Sequence, residues 1–269
     1  MTSSHSSVSV SVSASVPAPA SAPAATPVPA AAPLTGRDVV IVGGGSGIGL
    51  EVARRAVAAG ARVVLGGRNK GKLAAAAQSL GDGARWGAVD TTDKESLARF
   101  FDGIERIDHL FTPAASYRVG PMLELSDADA ESPFVSKFWG QYHAVKCAAP
   151  RLTPDASVVL MSGAASVRPP AAAPAYVACN AAIEGLGRGL AVELAPVRVN
   201  VVSPGTVDGN LWAQRPAAVR EASFAQYGRD SLLHRPGTEG EIADAVLFLF
   251  ANTFMTGSVL YPDGGYALR

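Results

Sequence analysis

The stretch Gly43-Gly44-Gly45-Ser46-Gly47-Ile48-Gly49 follows directly on a β-branched run, Asp38–Val42, and leads into a segment with helical patterning. Glycine permits a tight turn and close backbone approach, and a helix starting there offers free N–H groups and the positive end of its dipole to an anion. Gly43, Gly45, Ser46, Gly47, Ile48 and Gly49 are therefore candidate contacts to a dinucleotide pyrophosphate. A Gly-rich turn also serves a tight β–α connection with no ligand. The second strand ends Leu65-Gly66-Gly67-Arg68-Asn69-Lys70. No acidic residue is there to hold adenosine ribose hydroxyls, whereas the Arg68 guanidinium suits a 2′-phosphate through bidentate, charge-assisted bonds. This favours NADP(H) over NAD(H); the plainer role for Arg68 is to solvate the start of a helix. Asp90, at the end of the third strand, can accept from an adenine amino group or cap the turn that follows.

The remaining chemistry centres on a phenol. Tyr176 opens a predicted helix, Ala175-Tyr176-Val177-Ala178-Cys179-Asn180. A phenol with no charged neighbour titrates near ~10 and is protonated at neutral pH. It can donate to the alkoxide formed when a carbonyl is reduced, whereas alcohol oxidation needs the phenolate. A cation ~4 Å away, at an effective dielectric of about 20, favours the phenolate by ~4 kcal/mol, or about three pK units.

These residues must be positioned by alternating elements. Short β-branched runs at 38–42, 61–65, 85–89, 107–111, 157–161, 197–202 and 258–261 read as strands. Helical patterns fall near 47–59, 70–80, 94–102, 132–149, 175–194 and 239–250. Continuous apolar strands alternating with helices predict an α/β fold: a single doubly wound, Rossmann-type domain with a parallel sheet of about seven strands. Ligand is expected beyond the C-terminal strand ends.

With 48% apolar and 17% charged residues in 269, the chain can bury one large core. Residues 1–33 are almost entirely Ser, Val, Ala, Pro and Thr, and are expected to form a disordered tail ahead of a domain over 34–269. That tail lacks the basic and continuous apolar regions of a signal peptide. No long apolar run is present, and the net charge is zero with no Lys/Arg cluster. Neither a membrane nor nucleic acid is implied, which leaves a small-molecule substrate. Cys147 and Cys179 have no metal-ligand spacing, and no metal is expected. Few cysteines and no disulfide framework suit a reducing cytoplasm.

The Gly-rich turn, Val89-Asp90, the Tyr176 helix, Asn200-Val201-Val202-Ser203-Pro204-Gly205 and Gly257-Ser258 through Asp263-Gly264-Gly265 occur in the order of the short-chain dehydrogenase/reductase family. From about Thr35 to Arg269 the chain resembles that family. The resemblance implies a nicotinamide cofactor and hydride exchange with a carbonyl or alcohol carbon. It also implies that Ala114, Pro204, Gly205 and Val207 lie along the cofactor, and that the chain assembles as a homodimer or homotetramer.

The departures from the family pattern concern its Asn, Ser, Tyr and Lys tetrad. The serine position, thirteen residues before the tyrosine, is Gly163. Ser162 is adjacent, but successive side chains on a strand face opposite ways, so its hydroxyl is not expected to substitute. Asn-Asn-Ala-Gly after the fourth strand is Thr112-Pro113-Ala114-Ala115. Tyr176 is retained, the lysine position is Asn180, and the helical asparagine position is Lys137 in Lys137-Phe138-Trp139-Gly140. The ammonium has then moved to the opposite wall of one pocket, unless Lys137 is simply solvated. Asn180 can still hydrogen-bond a ribose hydroxyl, but carries no charge.

Two functions are compatible with these residues. One is an NADP(H)-dependent oxidoreductase reducing a carbonyl or conjugated double bond of an apolar or aromatic substrate, with Tyr176 as acid and Lys137 as electrostatic partner. The other keeps the cofactor fold for cyclase-, isomerase- or dehydratase-like chemistry, or for a binding subunit. A lid is expected over 206–234, with Leu211, Trp212, Phe224 and Tyr227 facing either substrate or core. His234 and Arg168 have no spacing that singles them out.

Overall fold

The computed structural model describes residues 34–268, so the tail expected over 1–33 lies outside the described residues. Seven parallel strands form one sheet: β1 (Asp38–Val42), β2 (Arg62–Gly67), β3 (Ala84–Ala88), β4 (Ile107–Thr112), β5 (Leu152–Met161), β6 (Arg198–Val202) and β9 (Val259–Leu260). Across the sheet their order is β3-β2-β1-β4-β5-β6-β9. The order reverses between β1 and β4, and that switch point opens a crevice at the C-terminal strand ends.

Side-chain alternation divides the core into two layers. On β1, Val40 and Val42 join α3 (Lys94–Asp102), α5 (Trp139–Ala148) and α6 (Pro174–Glu193) on one face. Val39 and Ile41 meet α1 (Gly47–Ala58), α2 (Lys70–Leu80) and α9 (Glu239–Ala251) on the other. Both faces are covered, which is why the strands read as continuous apolar runs.

The expected helix over 132–149 begins earlier and is irregular. α4 (Asp127–Pro133) is capped by Ser126, whose hydroxyl accepts from the Asp129 amide, and passes through a π-turn at Phe134–Phe138 into α5. Strand limits also shift: β2 runs on to Gly67, β3 starts at Ala84, and β5 starts at Leu152 rather than 157. In the expected lid, β7 (Val207–Asp208), α7 (Asn210–Ala213) and α8 (Ala217–Asp230) succeed one another, and β7 pairs with β8 (Gly237–Thr238). Among the described residues no helix is long and apolar enough to cross a membrane, and no acidic, His or Cys cluster could hold a metal ion.

Candidate active site

Lys137 lies on the π-turn that joins α4 to α5. A π-turn inserts one extra residue and rotates the next helical residues by roughly 100° around the axis, a device that re-aims side chains. Here Lys137 points inward and is only 4% exposed. One turn later Gln141 locks this helix to the sheet: its Oε1 accepts from Thr112 Oγ1 at 2.9 Å and the Met161 amide at 2.8 Å, and its Nε2 donates to the Met161 carbonyl at 3.0 Å.

The ammonium donates to the Ser162 carbonyl at 2.8 Å and to Asn180 Oδ1 at 2.5 Å. None of the ion pairs among the described residues involves Lys137. Instead it stands over two phenol faces, 5.3 Å from the Tyr176 ring centroid and 5.8 Å from that of Tyr117. A buried ammonium without a carboxylate in ion-pair contact is costly, and the Tyr176 phenol beneath it is able to become anionic. Lys137 and Asn180, placed in one pocket by the family resemblance, are in direct contact.

Tyr117 was not singled out by the sequence. It sits in the irregular segment after β4, stacks on Tyr176 with centroids 5.0 Å apart, and donates its hydroxyl to Tyr176 Oη at 3.4 Å. Burial pushes the Tyr176 phenol up, but the Lys137 charge and hydrogen bonds from Tyr117 and Asn180 outweigh it, leaving it below the usual phenol value. Tyr117 shifts the other way: burial, the charge that develops on Tyr176 and the hydrogen bond it donates hold its proton well above that value. The two phenols thus have divergent proton affinities, the arrangement expected where one group transfers a proton and the other keeps it.

Asn180 is fully buried, and its Nδ2 donates to the Tyr176 carbonyl at 3.0 Å while Oδ1 faces Lys137. A Cβ at Gly163 would stand 3.2 Å from Tyr176 Oη and 3.4 Å from Asn180 Oδ1, so phenol and amide have closed onto bare backbone. The Ser162 hydroxyl faces away, donating to the Asn180 carbonyl at 2.9 Å and to Glu184 Oε1 at 3.3 Å. Glu184 also accepts from Ser166 at 2.5 Å, Ser203 at 3.1 Å and Tyr261 at 2.9 Å, tying the ends of β5 and β6 to α6 behind the site.

The Gly-rich turn lies beside this cluster. Gly43 has φ +112, and a Cβ there would stand 2.7 Å from the Ala114 nitrogen, whose N–H donates to the Val42 carbonyl at 3.0 Å. Only glycine fits between the two loops. Ser46 N-caps α1 without a side-chain cap bond, and the first turn of α1 holds no acidic residue. No acidic residue of α1 itself occupies those N–H groups, and the turn fits a pyrophosphate. Arg68 is exposed at the end of β2. The Thr92 amide, against some burial, and the Thr92 hydroxyl and Arg68 charge hold the Asp90 carboxyl below its usual range. Asp90 Oδ1 accepts from the Thr92 amide at 2.9 Å and the Thr92 hydroxyl at 2.8 Å, so Asp90 caps its turn. Pro204 accepts from the Ala164 amide at 2.8 Å, and the Tyr227 hydroxyl packs against Gly205.

The lid residues divide. Trp212 and Phe224 pack edge to face, 5.5 Å apart, and Leu211 is exposed. Tyr227 belongs to the core, stacking on Tyr266 at 5.0 Å and donating to the Asp263 carbonyl at 2.6 Å. Arg168 is structural, donating to the Asp230 and Tyr266 carbonyls at 2.6 and 2.8 Å, and His234 Nδ1 meets the Gly228 carbonyl at 2.9 Å. Sequence pattern also gives no sign of Glu239 and Asn210, which bridge the lid to the Gly-rich turn.

Comparison with known proteins finds similarity to dehydrogenases and reductases along most of the chain. A family profile described as Enoyl-(Acyl carrier protein) reductase matches residues 42–267. Galactitol 2-dehydrogenase (L-tagatose-forming) of Cereibacter sphaeroides is 32% identical, over 87% of this chain and 96% of its own. A solved small-chain dehydrogenase in complex with NADPH is 30% identical, with TM-score 0.73 over 87% of this chain and 100% of its own. The MalC reductase/Diels-Alderase of Malbranchea aurantiaca is 26% identical, with TM-score 0.81 over 89% of this chain and 100% of its own.

Proposed function

Because the chain belongs to the short-chain dehydrogenase/reductase family, we propose that it is an NADP(H)-dependent reductase acting on a carbonyl or conjugated double bond of a small, apolar or aromatic substrate. The observation that carries this reading is the Lys137 ammonium buried 5.3 Å from the Tyr176 ring and bonded to Asn180. The family's lysine and asparagine have exchanged positions while the cation has stayed beside the phenol.

When bound, the cofactor would supply a hydride to the substrate carbon. Tyr176 gives its proton to the oxygen on which charge develops, and Lys137 stabilises the phenolate left behind. Tyr117 keeps its proton and donates a hydrogen bond to Tyr176 Oη, a second donor beside Lys137 for the phenolate left behind, a contribution of ~3 kcal/mol where such a donor is well placed. Gly43, Gly45, Ser46, Gly47, Ile48 and Gly49 hold the pyrophosphate and Arg68 the 2′-phosphate, while Asp90 keeps Oδ2 for the adenine amino group. Ala114, Pro204, Gly205, Val207 and Asn180 line the nicotinamide end. Leu211, with Met122 and Leu123 on the segment after Tyr117, offers apolar surface to the substrate.

The test is NADPH oxidation against aromatic ketones, quinones and enones, with NADPH binding titrated in the same buffer. Turnover lost in Tyr176→Phe with binding intact supports the proposal. Tight binding with no oxidation of any substrate favours the second reading, non-redox chemistry on a retained cofactor fold. Two observations favour that alternative: the bare backbone at Gly163, and a relative whose name includes Diels-Alderase activity.

A further inference from the structure

The lid is fastened across the mouth of the Gly-rich turn by a carboxylate. Glu239 opens α9, and its Oε1 accepts from the Asn210 amide at 2.6 Å. The side chain lies on the Gly209 backbone, where a Cβ would stand 2.6 Å from Glu239 Cγ and 2.7 Å from Cδ. Asn210 Nδ2 in turn donates to Ser46 Oγ at 3.3 Å, the N-cap of α1. Glu239 Oε1 stands 3.4 Å from the position a Cβ would take at Gly47, the first residue of α1. Nearby guanidiniums are engaged elsewhere, Arg55 by Glu51 and Asp244 and Arg235 by Glu241. A carboxylate is thus held where α1 presents its positive end, by the same electrostatics that attract a phosphate.

We propose that Glu239 is an intramolecular competitor for the cofactor's pyrophosphate, pinning the lid closed until the dinucleotide displaces it. The inference rests on the dinucleotide reading of the Gly-rich turn. Its physical basis is that two anions cannot share the end of one helix without repulsion. Displacing Glu239 breaks its bond to the Asn210 amide and frees the strap Val207 to Ala213 to move, so cofactor entry and lid opening are one event.

The test uses the full chain and measures binding rather than turnover. Dissociation constants for NADPH and for adenosine 2′-monophosphate, which carries the 2′-phosphate but no pyrophosphate, are compared between wild type and Glu239→Gln. The variant keeps an acceptor for Asn210 and removes the charge. NADPH binding tightens by ~tenfold and 2′-monophosphate binding stays within about twofold. Glu239→Ala reads the same effect should the glutamine variant fold poorly. Unchanged or weaker NADPH binding in the variants overturns the proposal and leaves the dinucleotide site standing, as does an equal gain for both ligands. No NADPH binding by folded wild type or variant overturns both.

Discussion

The Lys137 ammonium donates to Asn180 Oδ1 at 2.5 Å, so two residues on different helices share one buried bond beside the Tyr176 phenol. The charge reaches the phenol from the π-turn rather than from one turn along α6. Because the amide carries no charge, the field at Tyr176 comes from Lys137 alone in this pair.

Tyr176→Phe removes the proton donor and is expected to lower reductive turnover by ~10³-fold or more, with the NADPH dissociation constant unchanged. Tyr117→Phe leaves the acid in place and removes the second donor, for a loss of ~10- to 100-fold. Steady-state kinetics on both variants check this. A Tyr117→Phe enzyme with wild-type kcat would remove Tyr117 from the account.

Arg68→Ala is expected to weaken NADPH binding by ~10- to 100-fold and leave NADH binding unchanged, since only the 2′-phosphate addresses that guanidinium. Titration of the two cofactors separates the outcomes. Equal weakening of both would mean that Arg68 supports the turn rather than the phosphate.

His109 is 6% exposed, stacked on Phe250 at 4.7 Å, and its Nδ1 has no hydrogen-bond partner among the described residues. Burial pushes its imidazole down to about 4. The unfolded chain titrates near ~6.5, so between the two values it binds the extra proton. The His109 contribution to stability is therefore full above about 6.5, falls as pH drops towards about 4, and changes no further below that, a loss of up to about 3 kcal/mol. His109→Leu is expected to flatten that window, seen as a smaller drop in Tm between pH 7 and pH 5 than in wild type.

Much of this was legible in the sequence because it depends on local rules. The Gly-rich turn announced itself by position after β1, and the parallel sheet by its continuous apolar strands. Lys137 and Asn180 could be paired through the family resemblance, although contact between them depends on the π-turn, for which the sequence offers no more than Pro133 inside the helix. The earlier start of α4 had a readable signal, Ser126 followed by acidic residues at Asp127 and Asp129. Tyr117 had none. It lies in an irregular loop whose course is set by tertiary contacts, such as the Ser136 hydroxyl accepting from the Ser116 amide at 3.3 Å. Glu239 resembled an ordinary acidic residue at a helix start, and its reach over Gly209 depends on the pairing of β7 with β8.

The most direct test moves the cation back. Lys137→Asn alone is expected to cut reductive turnover by ~10²-fold or more. A protonated acid is required, so the wild-type rate declines as pH rises through the lowered Tyr176 value, and in Lys137→Asn that decline shifts upward. Adding Asn180→Lys restores an ammonium to the same pocket, and the double variant is expected to recover turnover to within ~tenfold of wild type and its pH profile with it. Wild-type turnover and pH profile in Lys137→Asn, or a folded, NADPH-binding double variant no better than the single, would contradict the exchanged Lys–Asn pair as the source of Tyr176 activation.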